Sequence, residues 1–321
     1  MIRVKIAGRL NIAAPLLIVA LTTMASAAEP PRAAPDFENV AYGPHARNVL
    51  DLWKAKSDRP TPLLVFIHGG GFVNGDKGQV RGRPAVRQCL DAGISFASIN
   101  YRFREHAGIQ DILRDAARAI QFLRTHATEY NIDPSRIASY GGSAGAGTSL
   151  WLAFHDDLAD PKATDPVLRQ SSRLTAAGSL NGQASYDLRD WEKILGPSQF
   201  QRPQAEWVSF YHFDSDAAET TPEADKIMRD CSMLNLISKD DVPVALACSF
   251  SAEDPKERGA YVHHPKHSTA IADRCKENGL DCLLVLQGTD SDSRDGQATK
   301  VVAFLIGKLK DVGTEKPTAA K

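Results

Sequence analysis

Five small residues, Gly141-Gly142-Ser143-Ala144-Gly145, separate a strand-like run at Arg136–Tyr140 from an apolar helical stretch at Gly145–Phe154. A chain that turns from strand to helix over so few residues strains the backbone at the serine, and only small neighbours escape a clash there. Such a turn lifts the Ser143 hydroxyl above the sheet at a helix N-terminus, where partial positive charge favours a developing anion. Alone the pentapeptide is a weak signal, because Gly- and Ser-rich turns are common. Set between strand and helix, it restricts the chain to folds with a sharp elbow.

The surrounding pattern agrees. Extended runs at Asn39–Tyr42 and Val49–Trp53 predict an antiparallel ribbon. Short apolar runs at Leu63–Ile67, Ile94–Ile99, Leu174–Leu180, Val242–Ser249 and Cys282–Leu286 read as buried strands. Between Ile109 and Tyr130 the residues Ile112, Ala116, Ile120 and Leu123 recur at helical spacing, and Val301, Phe304, Leu305 and Leu309 do so in the final helix. Asn131-Ile132-Asp133-Pro134 breaks the first of these helices before a strand at Arg136–Tyr140. Alternating strands and helices predict an α/β protein with a mostly parallel sheet covered on both faces. Reactive groups in such sheets gather at the carboxyl ends of the strands. A single domain is expected over about 36–312, with a disordered tail at 313–321. Residues from about Gly182 to Asp240 lack strand periodicity and are rich in aromatic and polar groups. They read as a small helical insertion over the active-site rim, or as a connecting helix with a long surface loop.

The first 28 residues stand apart. Arg3, Lys5 and Arg9 precede the apolar run Ile12–Leu21 and the small residues Ala25-Ser26-Ala27, the pattern of a cleaved secretory signal. The run is short for a bilayer span, so secretion or a periplasmic location is expected, with no stable membrane insertion after cleavage. A formal net charge of -1 gives no field for nucleic acid and favours a small or neutral substrate. Five cysteines, Cys89, Cys231, Cys248, Cys275 and Cys282, leave at least one unpaired, and neither C-x-x-C nor metal-type spacing occurs. Packing, with room for one disulfide, accounts for them.

His68-Gly69-Gly70-Gly71-Phe72 follows the strand Leu63–Ile67. Three glycines free the backbone to aim N–H groups at one point, and Gly70, Gly71 and Ala144 are the candidate donors to an oxyanion, each worth roughly 3–4 kcal/mol. A phosphate loop is excluded, since no lysine follows at Walker spacing and no G-x-G-x-x-G is present. His68 reads as a brace for the loop.

These motifs, with Asn100-Tyr101-Arg102 and Asp133-Pro134, resemble the hormone-sensitive-lipase-like esterases and their acetylxylan and feruloyl esterase relatives. The resemblance runs from about Val40 to Asp160 and is looser beyond. It implies an α/β-hydrolase fold, hydrolysis of carboxylic esters through an acyl-enzyme on Ser143, a small-molecule or carbohydrate ester as substrate, and no cofactor or metal. It also implies an acid after the penultimate strand, a position matched by Asp254 with Glu253 as substitute, and a histidine after the last strand.

That histidine is missing. No histidine follows His267, and a serine hydroxyl without a base is a poor nucleophile. The segment Tyr261-Val262-His263-His264-Pro265-Lys266-His267 offers a replacement at the same rim. His263 or His264 is the candidate base, oriented by Asp254 or by another carboxylate such as Asp295, because triads are defined by geometry and not by chain order. Competing roles are capping of the helix at Pro265, solvation, or loose metal binding through His263 and His267, which Pro265 disfavours. Two rival functions stay open: a catalytically impaired ligand-binding protein on the hydrolase scaffold, and hydrolysis of a peptide or other acyl bond by analogy of fold.

Overall fold

The computed structural model describes residues 34–203, 205–215, 221–287 and 294–311. The segment at 1–28 expected to be an export signal, the C-terminal tail and the Asp295 side chain fall outside the described parts.

The chain opens with β1 (Phe37–Ala41), β2 (Val49–Trp53) and β3 (Thr61–Ile67), then α1 (Pro84–Asp91) and β4 (Ser95–Ile99). Next come α2 (Ile109–Thr125), α3 (Ala127–Tyr130), β5 (Ile132–Gly142), α4 (Ala144–Phe154) and β6 (Ala176–Leu180). Four short helices follow: α5 (Asp190–Leu195), α6 (Ala205–Tyr211), α7 (Pro222–Asp230) and α8 (Met233–Leu236). The fold closes with β7 (Val244–Cys248), α9 (Arg258–Val262), α10 (Lys266–Glu277), β8 (Cys282–Leu286) and α11 (Arg294–Asp311).

The described strands form one sheet in the order β1-β2-β4-β3-β5-β6-β7-β8. β1 and β2 join it antiparallel, and every pairing from β4 to β8 is parallel. Pleating sends alternate residues of β3 to opposite faces. Leu63, Val65 and Ile67 pack in one core with residues of α2 and α4, while Leu64 and Phe66 pack in the other with residues of α1 and α11. Both faces are therefore covered, which is why β3, β4, β6 and β7 are buried along their whole length. The predicted stripe on α2 is buried throughout, as are Val301, Leu305 and Leu309 on α11.

Strand ends shift by one or two residues from the sequence reading, and the two larger differences flank Asn131. The helix expected to run to Tyr130 breaks at His126, and Asn131 closes α3 in the left-handed region with φ 54°. The following strand starts at Ile132, ahead of Arg136. Its pairing steps from Thr61↔Ile132 to Leu63↔Ile137, and Pro134 sits in that irregularity, where its missing N–H forfeits no ladder bond. Asp133 holds the bulge by accepting from the Ser135 N–H at 2.9 Å and from Arg136 Nε at 2.7 Å.

The five cysteines are thiols in this structure. The Cys275 and Cys282 side chains interact, joining α10 to β8. Three histidines, His68, His264 and His267, are buried by the fold. His267 on α10 packs its ring against Trp191, at 5.0 Å between centroids, and accepts from the Ala184 N–H at 3.3 Å. Burial pushes His267 down to about 3 and His68 to about 4.

Because His267 is depressed in the folded state, the unfolded chain takes up this proton first. The group leaves stability unaffected above its ordinary value near 6.5 and erodes it as pH falls toward 3, by roughly 1.4 kcal/mol per pH unit. Urea unfolding between pH 7 and pH 4 is expected to show His267→Asn, which keeps an acceptor for Ala184, losing about one proton's worth of that slope. Equal slopes for the two proteins would remove His267 as a source of acid sensitivity.

Candidate active site

β5 ends where α4 begins, and Ser143 stands between them with φ 52° and ψ −117°. A β-carbon added to Gly145 would lie 2.0 Å from the Ile67 carbonyl oxygen, and one added to Gly141 would lie 2.5 Å from the same atom. The end of β3 thus presses on the elbow so closely that no side chain fits at either position. The Ser143 N–H donates to the Leu180 carbonyl at 2.9 Å, tying the elbow to β6 as well.

The loop after β3 lies against the serine. A β-carbon on Gly69 would meet the Gly142 carbonyl oxygen at 2.6 Å and the Ser143 Cβ at 3.4 Å. Gly70 and Gly71 take φ values of 119° and 61°, a course open mainly to glycine. Among the described residues, the N–H groups of Gly70, Gly71 and Ala144 donate to no protein acceptor. His68 is buried, gives its Nδ1 proton to the Gly69 carbonyl at 2.7 Å and stacks on Tyr101 at 4.2 Å. It braces the loop.

His263, at the C-terminal end of α9, places Nε2 2.7 Å from the Ser143 hydroxyl oxygen. Its Nδ1 lies 2.9 Å from the Gly259 carbonyl oxygen. A carbonyl can only accept, so Nδ1 carries the proton and Nε2 presents its lone pair to the serine hydroxyl. Phe250 stacks on the ring at 4.9 Å and 20°, which fixes its plane.

His264 turns the other way. It is buried, accepts the Lys266 N–H at 3.1 Å as a cap for α10, and faces the Ala252 and Glu253 carbonyls. Burial, and then the Lys266 charge, lower its basicity. Asp254 and Glu253 lie exposed on the loop after β7. The Asp254 charge acts on His264, and no hydrogen bond from Asp254 to His263 is found. His263 and His267 are not joined by a third ligand, and no group of three or more metal-binding side chains occurs among the described residues.

Beside Ser143 opens a pocket of about 340 Å³, part of it continuous with solvent, walled by Phe72, Tyr186, Trp191, Phe210 and Arg202. Most of this wall comes from the segment between β6 and β7. Sequence reasoning pointed to that segment as a rim but did not single out Arg202, Phe210, Phe250 or the Gly259 carbonyl. The first three had no local motif to mark them, and every residue carries a carbonyl.

Residues 50–250, more than half of the chain, match the BD-FAE family. The chain belongs to the BD-FAE family. Among its relatives are the Arabidopsis thaliana protein named "Probable isoprenylcysteine alpha-carbonyl methylesterase ICMEL1", 33% identical over 45% of this chain and 30% of that one, and Esterase LipQ of Mycobacterium tuberculosis, 29% identical over 51% and 38%. The chain spans about a third of the length of these curated relatives. A solved carbohydrate esterase from gut microbiota, in truncated form, superposes with a TM-score of 0.65 at 17% identity, covering 87% of this chain and 96% of that one. The acetyl ester-xyloside bifunctional hydrolase of Caldicellulosiruptor lactoaceticus gives 0.58 at 22%, covering 84% and 89%. These likenesses establish the α/β-hydrolase fold.

The elbow yields a stability test. Gly145→Ala forces a β-carbon onto the Ile67 carbonyl, whereas one at Gly142 has no neighbour within 4 Å. Gly145→Ala is expected to cost about 3 kcal/mol or more in urea unfolding, and Gly142→Ala less than about 1. Equal costs would show that the strand end yields to the elbow.

Proposed function

We propose that the protein is a serine carboxylesterase with Ser143 as nucleophile and His263 as general base. The observation that carries this reading is the 2.7 Å contact between Ser143 Oγ and His263 Nε2, with Nδ1 anchored on the Gly259 carbonyl. As Ser143 Oγ bonds to the ester carbon, its proton passes to Nε2, and the carbonyl π electrons move onto oxygen. The N–H groups of Gly70, Gly71 and Ala144 are free to receive that oxyanion. When the tetrahedral adduct collapses, Nε2–H protonates the departing alcohol. Water, deprotonated by the same nitrogen, then releases the acid and restores the serine. The partial positive end of α4 acts on the same side as the oxyanion donors.

The orienting place is assigned to the Gly259 carbonyl, which Nδ1 of His263 meets at 2.9 Å, rather than to Asp254, which lies exposed. The reading as a silent binding protein drew on the histidine missing after β8. With His263 brought to Ser143 from α9, that reason falls away. Strain stored at Ser143 also argues for use, because a left-handed serine costs free energy that a binding site does not need.

The finer substrate class rests on resemblance. Acylated carbohydrate is supported by the motifs shared with acetylxylan and feruloyl esterases and by the carbohydrate esterases among the structural neighbours. Export through the segment at 1–28 belongs to the same proposal, since polymeric plant esters lie outside the cell.

Hydrolysis of 4-nitrophenyl acetate by the wild type, Ser143→Ala, His263→Ala and His264→Ala tests the reading. Ser143→Ala and His263→Ala are expected to fall by several orders of magnitude, up to about a millionfold, and His264→Ala by less than about tenfold after correction for folded fraction. A wild type no faster than Ser143→Ala, or a fully active His263→Ala, would sink it.

A further inference from the structure

Beside the Ser143 pocket three arginines, Arg104, Arg202 and Arg258, gather near one carboxylate, Glu206. Arg202 lines the pocket together with Ser143 and donates from Nη1 to Glu206 Oε2 at 2.8 Å. Arg258 sets both terminal nitrogens on the same Glu206 carboxylate, at 3.3 and 2.8 Å. Arg104 is tied to the oxyanion loop, its backbone N–H donating to the Phe72 carbonyl at 2.8 Å. Its guanidinium carbon lies 5.3 Å from the centre of the Phe210 ring, and that of Arg202 lies at the same distance. Arg104 gives Nη2 to Ser209 Oγ at 2.9 Å, yet its Nε is buried with no hydrogen-bond partner. Among the described residues no carboxylate comes within ion-pair distance of Arg104.

Two of these guanidiniums, Arg202 and Arg258, thus share one carboxylate, and the third, Arg104, has none at ion-pair distance among the described residues. Desolvating cations without partners is unfavourable. Burial, and after it the charges of neighbouring arginines, already shift Arg104 and Arg202 below the usual guanidinium range, against the opposing pull of Glu206. A planar guanidinium with a spare N–H, set beside an aromatic ring, suits a planar carboxylate that it can grip through two nitrogens.

We infer that Arg104 and Arg202 form an anion-recognition subsite, so that the preferred substrates are esters carrying a carboxylate. The inference rests on the esterase reading and narrows its substrate class. The carboxylate belongs either to the acyl part or to the alcohol part, and two matched pairs of substrates tell these apart. Mono-4-nitrophenyl glutarate against 4-nitrophenyl butyrate places the charge on the acyl side. 4-Acetoxybenzoate against its methyl ester places it on the alcohol side.

In at least one pair the anionic ester is expected to win in kcat/KM by on the order of ten- to a hundredfold. That ratio should shrink toward one in Arg104→Gln and Arg202→Gln, and should fall as salt rises. Arg104→Gln leaves no carboxylate without a partner, so its folding is the safer of the two. Turnover of the neutral esters with no preference in either pair overturns this inference and leaves the esterase reading standing. Binding gives a readout that needs no turnover: calorimetric titration of mono-methyl glutarate and, separately, of 4-acetoxybenzoate into the Ser143→Ala protein, either of which can bind. Saturable binding that weakens about tenfold or more on adding Arg104→Gln supports the subsite. Its absence with both overturns it, even for a protein that hydrolyses nothing.

Discussion

The site depends on how closely the end of β3 approaches the elbow. The Ile67 carbonyl occupies the space that side chains would need at both Gly141 and Gly145, so the first turn of α4 is seated directly on the neighbouring strand. That contact fixes where Ser143 stands. It also places the chain leaving β3, the loop His68–Phe72, beside the serine, since the same strand end begins that loop. The proposed nucleophile and oxyanion donors therefore come from two adjacent parallel strands whose relative height is set by backbone contact. Side-chain packing elsewhere in the core can vary without moving them, because this contact leaves no slack.

The proposed base, His263, reaches the serine by a different route. The sequence rule places it after the last strand, but here it arrives one strand earlier, from the short helix after β7. Strands of a parallel sheet all end on the same rim, so a loop from β7 reaches the same point as a loop from β8. α9 ends at His263, and a ring at the end of a helical turn lies over the carbonyl four residues back, so Gly259 serves as the orienting acceptor. A carbonyl fixes the tautomer as a carboxylate does.

What was legible in the sequence is what was local. The elbow, the glycine loop and the strand–helix alternation each lie within a few consecutive residues, and the backbone conformation they require is written in the residues themselves. The choice between His263 and His264 was not legible, because adjacent residues share every sequence context. It is decided by the end of α9, which points His263 at Ser143, and by the start of α10, whose first N–H groups draw His264 into a cap. Asp254 matched a family position, but position along the chain does not set the direction of a loop that lies exposed. The break at Pro134 was read as a helix end and proved to be a bulge inside a strand, since a residue that cannot donate is tolerated in both. The arginine cluster gave no signal at all: Arg258 and Glu206 are 52 positions apart, and Arg104 and Ser209 are 105 apart.

The segment that supplies most of the pocket wall is built as a fixed surface. Asp190 is buried, and its Oδ2 accepts from Ser185 at 2.8 Å, Ser232 at 2.7 Å and Asn235 at 3.1 Å, drawing the start and the end of the segment onto one atom. A buried carboxylate satisfied so fully resists displacement, because losing any donor exposes the cost of its desolvation. Tyr186, also in this segment, donates to the Ala144 carbonyl at 2.8 Å, and Tyr211 donates to the Tyr186 carbonyl at 2.7 Å. The wall is thereby pinned to the first residue of α4, the residue that follows the nucleophile. Bond-making groups and pocket wall are encoded far apart, one set in short local motifs and the other in scattered long-range contacts. They share one mechanical origin, so the distance from Ser143 to the pocket wall is set by the same elbow that strains the serine.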